Sequence, residues 1–233
     1  PGIGVLTFEL ASLANKVVAV ELDKRLISVL NETLNEFNNV KIINSDILKI
    51  DIKNLIEKEF SGQRIFVCAN LPYYITSPVI MKLLESKLPI ESITVMVQKE
   101  AAERICAEPG TRNSGAISLA VRYYSVPQIL FNVSRGSFLP SPNVDSTVIK
   151  LSLLKTPPVS VKDEKLFFNT IKASFSKRRK TILNSLSAGL SIPKEVTSDV
   201  LKRSSLSTNL RAEQLTLENF AAISNNLYYI NKE

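Results

Sequence analysis

Four short runs rich in β-branched residues, Val17–Leu22, Val40–Asn44, Ile65–Ala69 and Ile93–Val97, most limit how this chain can fold. They recur about every 25 residues with segments of helical spacing between them, the pattern of βαβ units and a parallel sheet. In Arg25–Phe37, for instance, Leu26, Val29, Leu30, Leu34 and Phe37 fall on one helical stripe. The strand runs are continuously apolar and do not alternate, so burial on both faces is expected. After Gly115 the pattern changes. Ala116–Tyr124 reads as a helix, and Gln128–Val133 and Ser146–Leu154 read as strands joined through a Pro-rich stretch, Phe138–Pro142. No long crossover separates these two strands, so an antiparallel hairpin at the sheet edge is expected.

Thr156-Pro157-Pro158 reads as a linker, and the chain beyond it reads as helical. Leu166, Phe167, Ile171, Ser174 and Phe175 share one stripe, Pro193 suits a first helical turn, and Thr216 suits the cap of a last helix carrying Leu217, Phe220, Ala221 and Ser224 on one face. The chain therefore divides into an α/β part, 1–154, and a small all-α part, 155–233.

Composition sets limits on chemistry. The 233 residues include no His, which excludes Ser-His-Asp hydrolases, His-assisted nucleases and the usual His-containing zinc sites. The two cysteines, Cys68 and Cys106, form no CxxC and read as packed small apolar residues. A reducing, cytoplasmic setting fits, and neither a signal peptide nor an apolar run of membrane-spanning length is visible. The net charge is +7. Residues 154–233 hold 13 basic and 7 acidic side chains, so nearly all the excess lies in the helical part. There the run Lys177-Arg178-Arg179-Lys180, read as helical, suits phosphate contact, although some of four adjacent charges on a helix would simply be solvated.

Three acid or glycine features stand near strand ends. Gly2 and Gly4 precede an apolar helical stretch, Val5–Ala14, as an ordinary turn or as a loop that lets a ligand approach the backbone. Glu21 ends the first run, where a carboxylate is either solvated or accepts hydrogen bonds from a ribose. Asp46 follows the second run, as a turn cap or as a ligand contact. Together they suit a nucleoside lying across successive strand ends. There is no GxGxxG and no phosphate loop with Lys, which disfavours a nicotinamide-dependent oxidoreductase.

Asn70-Leu71-Pro72-Tyr73, after the third run, is the most specific segment, and it resembles the signature of S-adenosylmethionine-dependent methyltransferases acting on exocyclic base amines. The lone pair of an adenine N6 amine is delocalised into the ring. Two carbonyl acceptors for its N–H groups favour a pyramidal nitrogen with a free lone pair, which is catalysis by positioning and preorganised electrostatics. The resemblance implies that these acceptors are the Asn70 side chain and the Leu71 backbone. Pro72 would stiffen the turn and Tyr73 would stack on an extruded base.

The segments Val97–Arg104, Phe138–Ser146, Ser174–Thr181 and Arg211–Leu215 narrow the resemblance to the ribosomal RNA adenine dimethyltransferases, over essentially the whole chain. The branch most similar dimethylates two neighbouring adenosines near the 3′ end of small-subunit rRNA. This resemblance implies a Rossmann-like class I methyltransferase sheet, mostly parallel with an antiparallel last strand, and S-adenosyl-L-methionine as cofactor with no metal. Gly2, Gly4, Glu21, Leu22, Asp46, Ile47 and Asn70 would hold the cofactor, with Glu21 on the ribose and Asp46 on the adenine amine. Phe138 would oppose Tyr73 across the target base, or else anchor its Pro-rich loop. Lys99, Arg104, Lys177, Arg178, Arg179 and Lys180 would contact RNA. The implied partner is small-subunit rRNA within an immature small ribosomal subunit, for an enzyme acting as a monomer away from membranes. In the family the glycine motif starts with an acid and a further Gly ending a preceding strand, after an N-terminal arm; these positions would precede Pro1, and cofactor binding by the present chain is in question on that account. Two other readings share the fold: a large-subunit rRNA methyltransferase of the macrolide-resistance type, and a non-catalytic RNA-binding assembly factor.

Overall fold

The computed structural model describes residues 1–177 and 179–230. The expected strands are present as β1 (Val17–Glu21), β2 (Val40–Asn44), β3 (Ile65–Asn70) and β4 (Ile90–Gln98), followed by β5 (Ser125–Val133) and β6 (Ser146–Leu153). Between them lie α1 (Val5–Leu13), α2 (Lys24–Thr33), α3 (Ile52–Glu59), α4 (Thr76–Glu85), α5 (Lys99–Ile105) and α6 (Ala116–Tyr124). Asp23 and Asp51 cap α2 and α3 by accepting from the backbone N–H groups of Arg25 and Asn54. The α2 helix is shorter than its apolar stripe. It stops at Thr33; Leu34 is buried from the turn after it, and Phe37, half-buried, packs edge-on to Phe8.

The strands form two sheets. β1 pairs with β2 in parallel, and a four-stranded sheet runs in the order β3-β4-β6-β5. Within it β3–β4 is parallel, while β6 lies antiparallel to both β4 and β5, so the late hairpin is at the edge as expected. Among the described residues β1 and β3 each keep one edge without a strand partner.

This interruption corrects one expectation. Only the central strands are closely covered: Ile93 and Val97 of β4 and Ile149 and Leu151 of β6 are fully buried against α4, α5 and α6. β3 turns Ile65 inward but exposes Phe66 and Cys68, and only Ala19 is buried in β1. Cys68 is therefore not the packed residue expected of it, because its strand has a neighbour on one side only. Cys106 is half-buried, and burial pushes its thiol up to about 11 despite the nearby Arg122 charge.

The second cluster of buried side chains is helical: α7 (Glu164–Phe175), α8 (Ile182–Leu190), α9 (Lys194–Arg203) and α10 (Leu217–Ile230). The expected stripes face inward, with Phe167, Ile171, Ser174, Leu217, Phe220, Ala221 and Ser224 all buried, and Thr216 caps α10 through Asn219 N–H. α7 and α8 approach so closely that a Cβ on Gly189 would sit 2.6 Å from that of Ala173. Residues 154–160 carry no regular structure. Even so, α6 belongs to both cores: Val121 packs with the sheet, while Leu119 and Tyr123 pack with α7–α10. The Tyr124 hydroxyl donates to Glu164 at 2.7 Å across the same boundary, and Lys87 holds the other oxygen of Glu164.

Candidate active site

The site residues gather at carboxyl ends of strands, where open α/β sheets bind ligands. Glu21 ends β1. Its Oε2 accepts from Gly2 N–H at 3.2 Å and its Oε1 from Asp23 N–H at 2.8 Å. Burial pushes the Glu21 carboxyl up, and the N–H groups of Asp23 and Gly2 work against it, lowering the carboxyl from its ordinary range. The Asn44 side chain donates to the carbonyls of Glu21 and Leu22, fastening the end of β2 to that of β1.

Gly4 opens α1 at φ +97°, where a Cβ would meet Thr33 Oγ1 at 3.1 Å and Leu30 at 3.2 Å. Any larger residue there would strain the backbone and push on α2. Gly2 has open space around it. Asp46 does serve as a turn cap, Oδ1 accepting from Leu48 N–H at 2.9 Å, while its Oδ2 has no hydrogen bond among the described residues. Leu22 is exposed, and Ile47 lies half-buried against the sheet core.

Asn70 is the last residue of β3 and is exposed. Neither its side-chain amide nor the Leu71 carbonyl makes a hydrogen bond among the described residues. Leu71 buries its side chain in the core, Pro72 accepts from Ile75 N–H, and Tyr73 opens the short turn Tyr73–Ile75. The corner therefore offers two free acceptors on a fixed backbone. Phe138 is half-buried in the β5–β6 connection and makes no ring contact with Tyr73 among the described residues. Tyr73 is instead held by a residue that sequence reasoning missed: its hydroxyl lies 2.8 Å from Ser146 Oγ. Ser146 stands in the segment Phe138–Ser146, but nothing in its residue type announces that contact.

The basic residues divide. Lys177, Arg179 and Lys180 lie in the turn between α7 and α8, not on a helix as the run suggested, because α7 ends at Phe175 with Ser176 as its cap. Arg178 lies outside the described residues. Lys177 and Lys180 line a cleft of about 430 Å³ together with Arg104 and with Arg112, which the sequence did not single out; Glu100, Glu103 and Glu213 also line it. Arg104 makes a 3.3 Å ion pair with Glu100 one turn away. Lys99 starts α5, its backbone N–H donating to the Asp145 carbonyl, and it does not line the cleft; nor does Arg179.

The residues fit a nucleoside cofactor. Each Glu21 oxygen accepts one N–H and so keeps a further lone pair for a ribose hydroxyl, Asp46 Oδ2 has no partner among the described residues, and Gly2 has open space around it. Two acceptors at the end of β3 suit a second amine, the one to be modified. With parallel pairs β1–β2 and β3–β4 and β6 antiparallel beside β4, these features define a class I S-adenosylmethionine-dependent methyltransferase.

Comparison with known proteins narrows the class. The family model described as ribosomal RNA adenine dimethylase matches residues 1–228, and the chain belongs to that family. It is 52% identical to the "Ribosomal RNA small subunit methyltransferase A" of Alkaliphilus oremlandii, an alignment covering 97% of this chain and 79% of that protein. The protein of the same name from Geobacillus sp. is 49% identical, over 99% of this chain and 80% of the relative. Among solved structures, a dimethyladenosine transferase from Plasmodium falciparum superposes with a TM-score of 0.78 at 27% identity, covering 99% of this chain and 87% of that one. The 23S rRNA methyltransferase ErmE superposes at 0.70 with 23% identity, over 98% and 88% of the two chains, and bears on the fold alone. Among the described residues no helix is long and apolar enough to cross a membrane.

Proposed function

We propose that this chain transfers methyl groups from S-adenosylmethionine to N6 of two adjacent adenosines near the 3′ end of small-subunit rRNA, giving dimethyladenosine, and that it acts as a cytoplasmic monomer on immature small subunits. The observation that carries the chemistry is the Asn70–Leu71 corner, with two unengaged carbonyl acceptors at a strand end. The small-subunit branch, over the macrolide-resistance type, is supported by the printed names of relatives 46–52% identical to this chain.

Glu21 accepts the ribose hydroxyls, and Asp46, with the backbone at Leu22 and Ile47, borders the adenine. When bound, S-adenosylmethionine would supply an electrophilic methyl group on its sulfonium sulfur. Asn70 and the Leu71 carbonyl accept the two N–H groups of the target amine, which frees the nitrogen lone pair. Tyr73, with Phe138 opposite, stacks on the extruded base. The proton of the new ammonium passes to water, so the absence of His is no handicap. Arg104, Arg112, Lys177 and Lys180 bind RNA phosphates, assisted by Lys99, Arg178 and Arg179.

The test is mass spectrometry of nucleosides from unmethylated small ribosomal subunits incubated with the chain and S-adenosylmethionine. Dimethyladenosine at two adjacent positions is expected. Unmodified RNA that nonetheless binds the chain would favour an assembly factor and overturn the enzymatic reading.

A further inference from the structure

The Tyr73 ring is mounted at two points. Its backbone is fixed by the turn after Pro72, where Ile75 N–H donates to the Pro72 carbonyl and Thr76 N–H to the Tyr73 carbonyl. Its far end meets Ser146 Oγ at 2.8 Å. Ser146 is fully buried at the start of β6, and its backbone pairs with Gln98 of β4 on one side and Val133 of β5 on the other, so the hydroxyl is carried by a strand held from both sides.

The residue before it, Asp145, closes the connection that carries Phe138. Asp145 Oδ1 accepts from Arg135 N–H at 3.0 Å, and the Asp145 carbonyl accepts from Lys99 N–H at 3.0 Å. Two adjacent residues thus tie the base-facing Tyr73, the neck of the Phe138 loop and the end of β4 to one point.

We infer that Ser146 is a positioning residue for the second methyl transfer, setting the plane of the Tyr73 ring on which the target base stacks. This rests on the function proposed above. The unmethylated amine has two N–H groups for its two acceptors, Asn70 and the Leu71 carbonyl. After the first transfer one N–H remains, so hydrogen bonding orients the base less and stacking must orient it more. A loosened Tyr73 therefore impairs the second transfer more than the first, and N6-monomethyladenosine accumulates.

The test compares Ser146→Ala, Tyr73→Phe, Ser146→Thr and the double variant Ser146→Ala/Tyr73→Phe. Each of the first two removes the same hydrogen bond, and the monomethyl-to-dimethyl ratio should rise about tenfold in both, with no further rise in the double variant. Ser146→Thr keeps the hydroxyl and should restore the parental ratio. Unchanged product ratios, or single effects that multiply in the double variant, would overturn the inference. A second readout does not depend on turnover: the ¹⁹F resonance of 3-fluorotyrosine at position 73, assigned by its loss in Tyr73→Phe. It should move towards the free amino acid value in Ser146→Ala and not in Ser146→Thr, and an unmoved resonance in Ser146→Ala would also overturn the inference. If the parent chain makes no methylated adenosine, the proposed function fails, while the ¹⁹F result still decides whether Ser146 fixes Tyr73.

Discussion

The two ends of the active site stand on unequal ground. Asn70–Tyr73 adjoins β4 and β6, whose inward residues Ile93, Val97, Ile149 and Leu151 are fully buried between helices. Gly2, Glu21 and Asp46 adjoin a separate two-stranded sheet with Ala19 as its only buried strand residue, beside α1, which leaves Val5 and Leu13 exposed. The end proposed to face the amine is built from free acceptors at the end of β3. The end proposed to face the cofactor is built from carboxylates already engaged by local N–H groups. Burial is thus deeper beside the proposed amine site than beside the proposed cofactor site.

The comparison can be broken first at the amine. Asn70→Ala should lower dimethyladenosine formation about 10²–10³-fold, the usual effect of removing one preorganised polar group, while thermal unfolding stays unchanged. A large drop in Tm with it would mean that the corner is structural.

Packing gives the next contrast. Ile93→Ala should cost about 2–5 kcal/mol in denaturant unfolding, whereas Leu13→Ala should stay within about 0.5 kcal/mol. Equal costs would erase the distinction between the two sheets.

Glu21→Ala should weaken S-adenosylmethionine binding about tenfold by calorimetry, since a charge-assisted acceptor is lost, and should leave Tm nearly untouched. The smallest effect concerns how β2 is anchored. Glu59 is buried and accepts from Lys16 at 2.8 Å and Lys41 at 2.6 Å, and these two ammonium groups hold its carboxyl at about 2. Because the folded value is lowered, the stabilisation is fully present above the ordinary 4.5 and fades as the pH falls towards about 2. Glu59→Gln should therefore lower Tm at pH 7, and the gap to the parent should narrow below pH 4.5. A gap that is constant with pH would contradict an ionic role.

Much of this organisation is legible in the sequence. β-branched runs mark strands because they fit a pleated surface, and apolar stripes at helical intervals mark α7 and α10 because each helix must bury one face. Glu21 and Asp46 could be singled out because strand ends are where such sheets bind ligands, and Asn70 because Asn70-Leu71-Pro72-Tyr73 resembles a methyltransferase signature. Other features were out of reach for definite reasons. A run such as Ile65–Ala69 reports that it can be buried, not whether a strand lies on each side, so the exposure of Phe66 and Cys68 was not foreseen. α7 ends before Lys177 where Ser176 donates both its N–H and its hydroxyl to the Ala173 carbonyl, and a lone Ser does not read as a helix stop. Ser146 holds Tyr73 from 73 residues away, and no local pattern encodes such a contact.

The most direct measurement is hydrogen exchange by mass spectrometry on the chain with and without S-adenosylmethionine. In its absence the amides of β4 and β6 should exchange far more slowly than those of β1 and β2. Adding the cofactor should slow exchange around Gly2–Gly4, Glu21–Asp23 and Asp46–Leu48 and leave β4 and β6 unchanged. Equal exchange in the two sheets, or cofactor protection spread evenly over both, would contradict a proposed amine site beside deeply buried strands joined to a proposed cofactor site beside less buried ones.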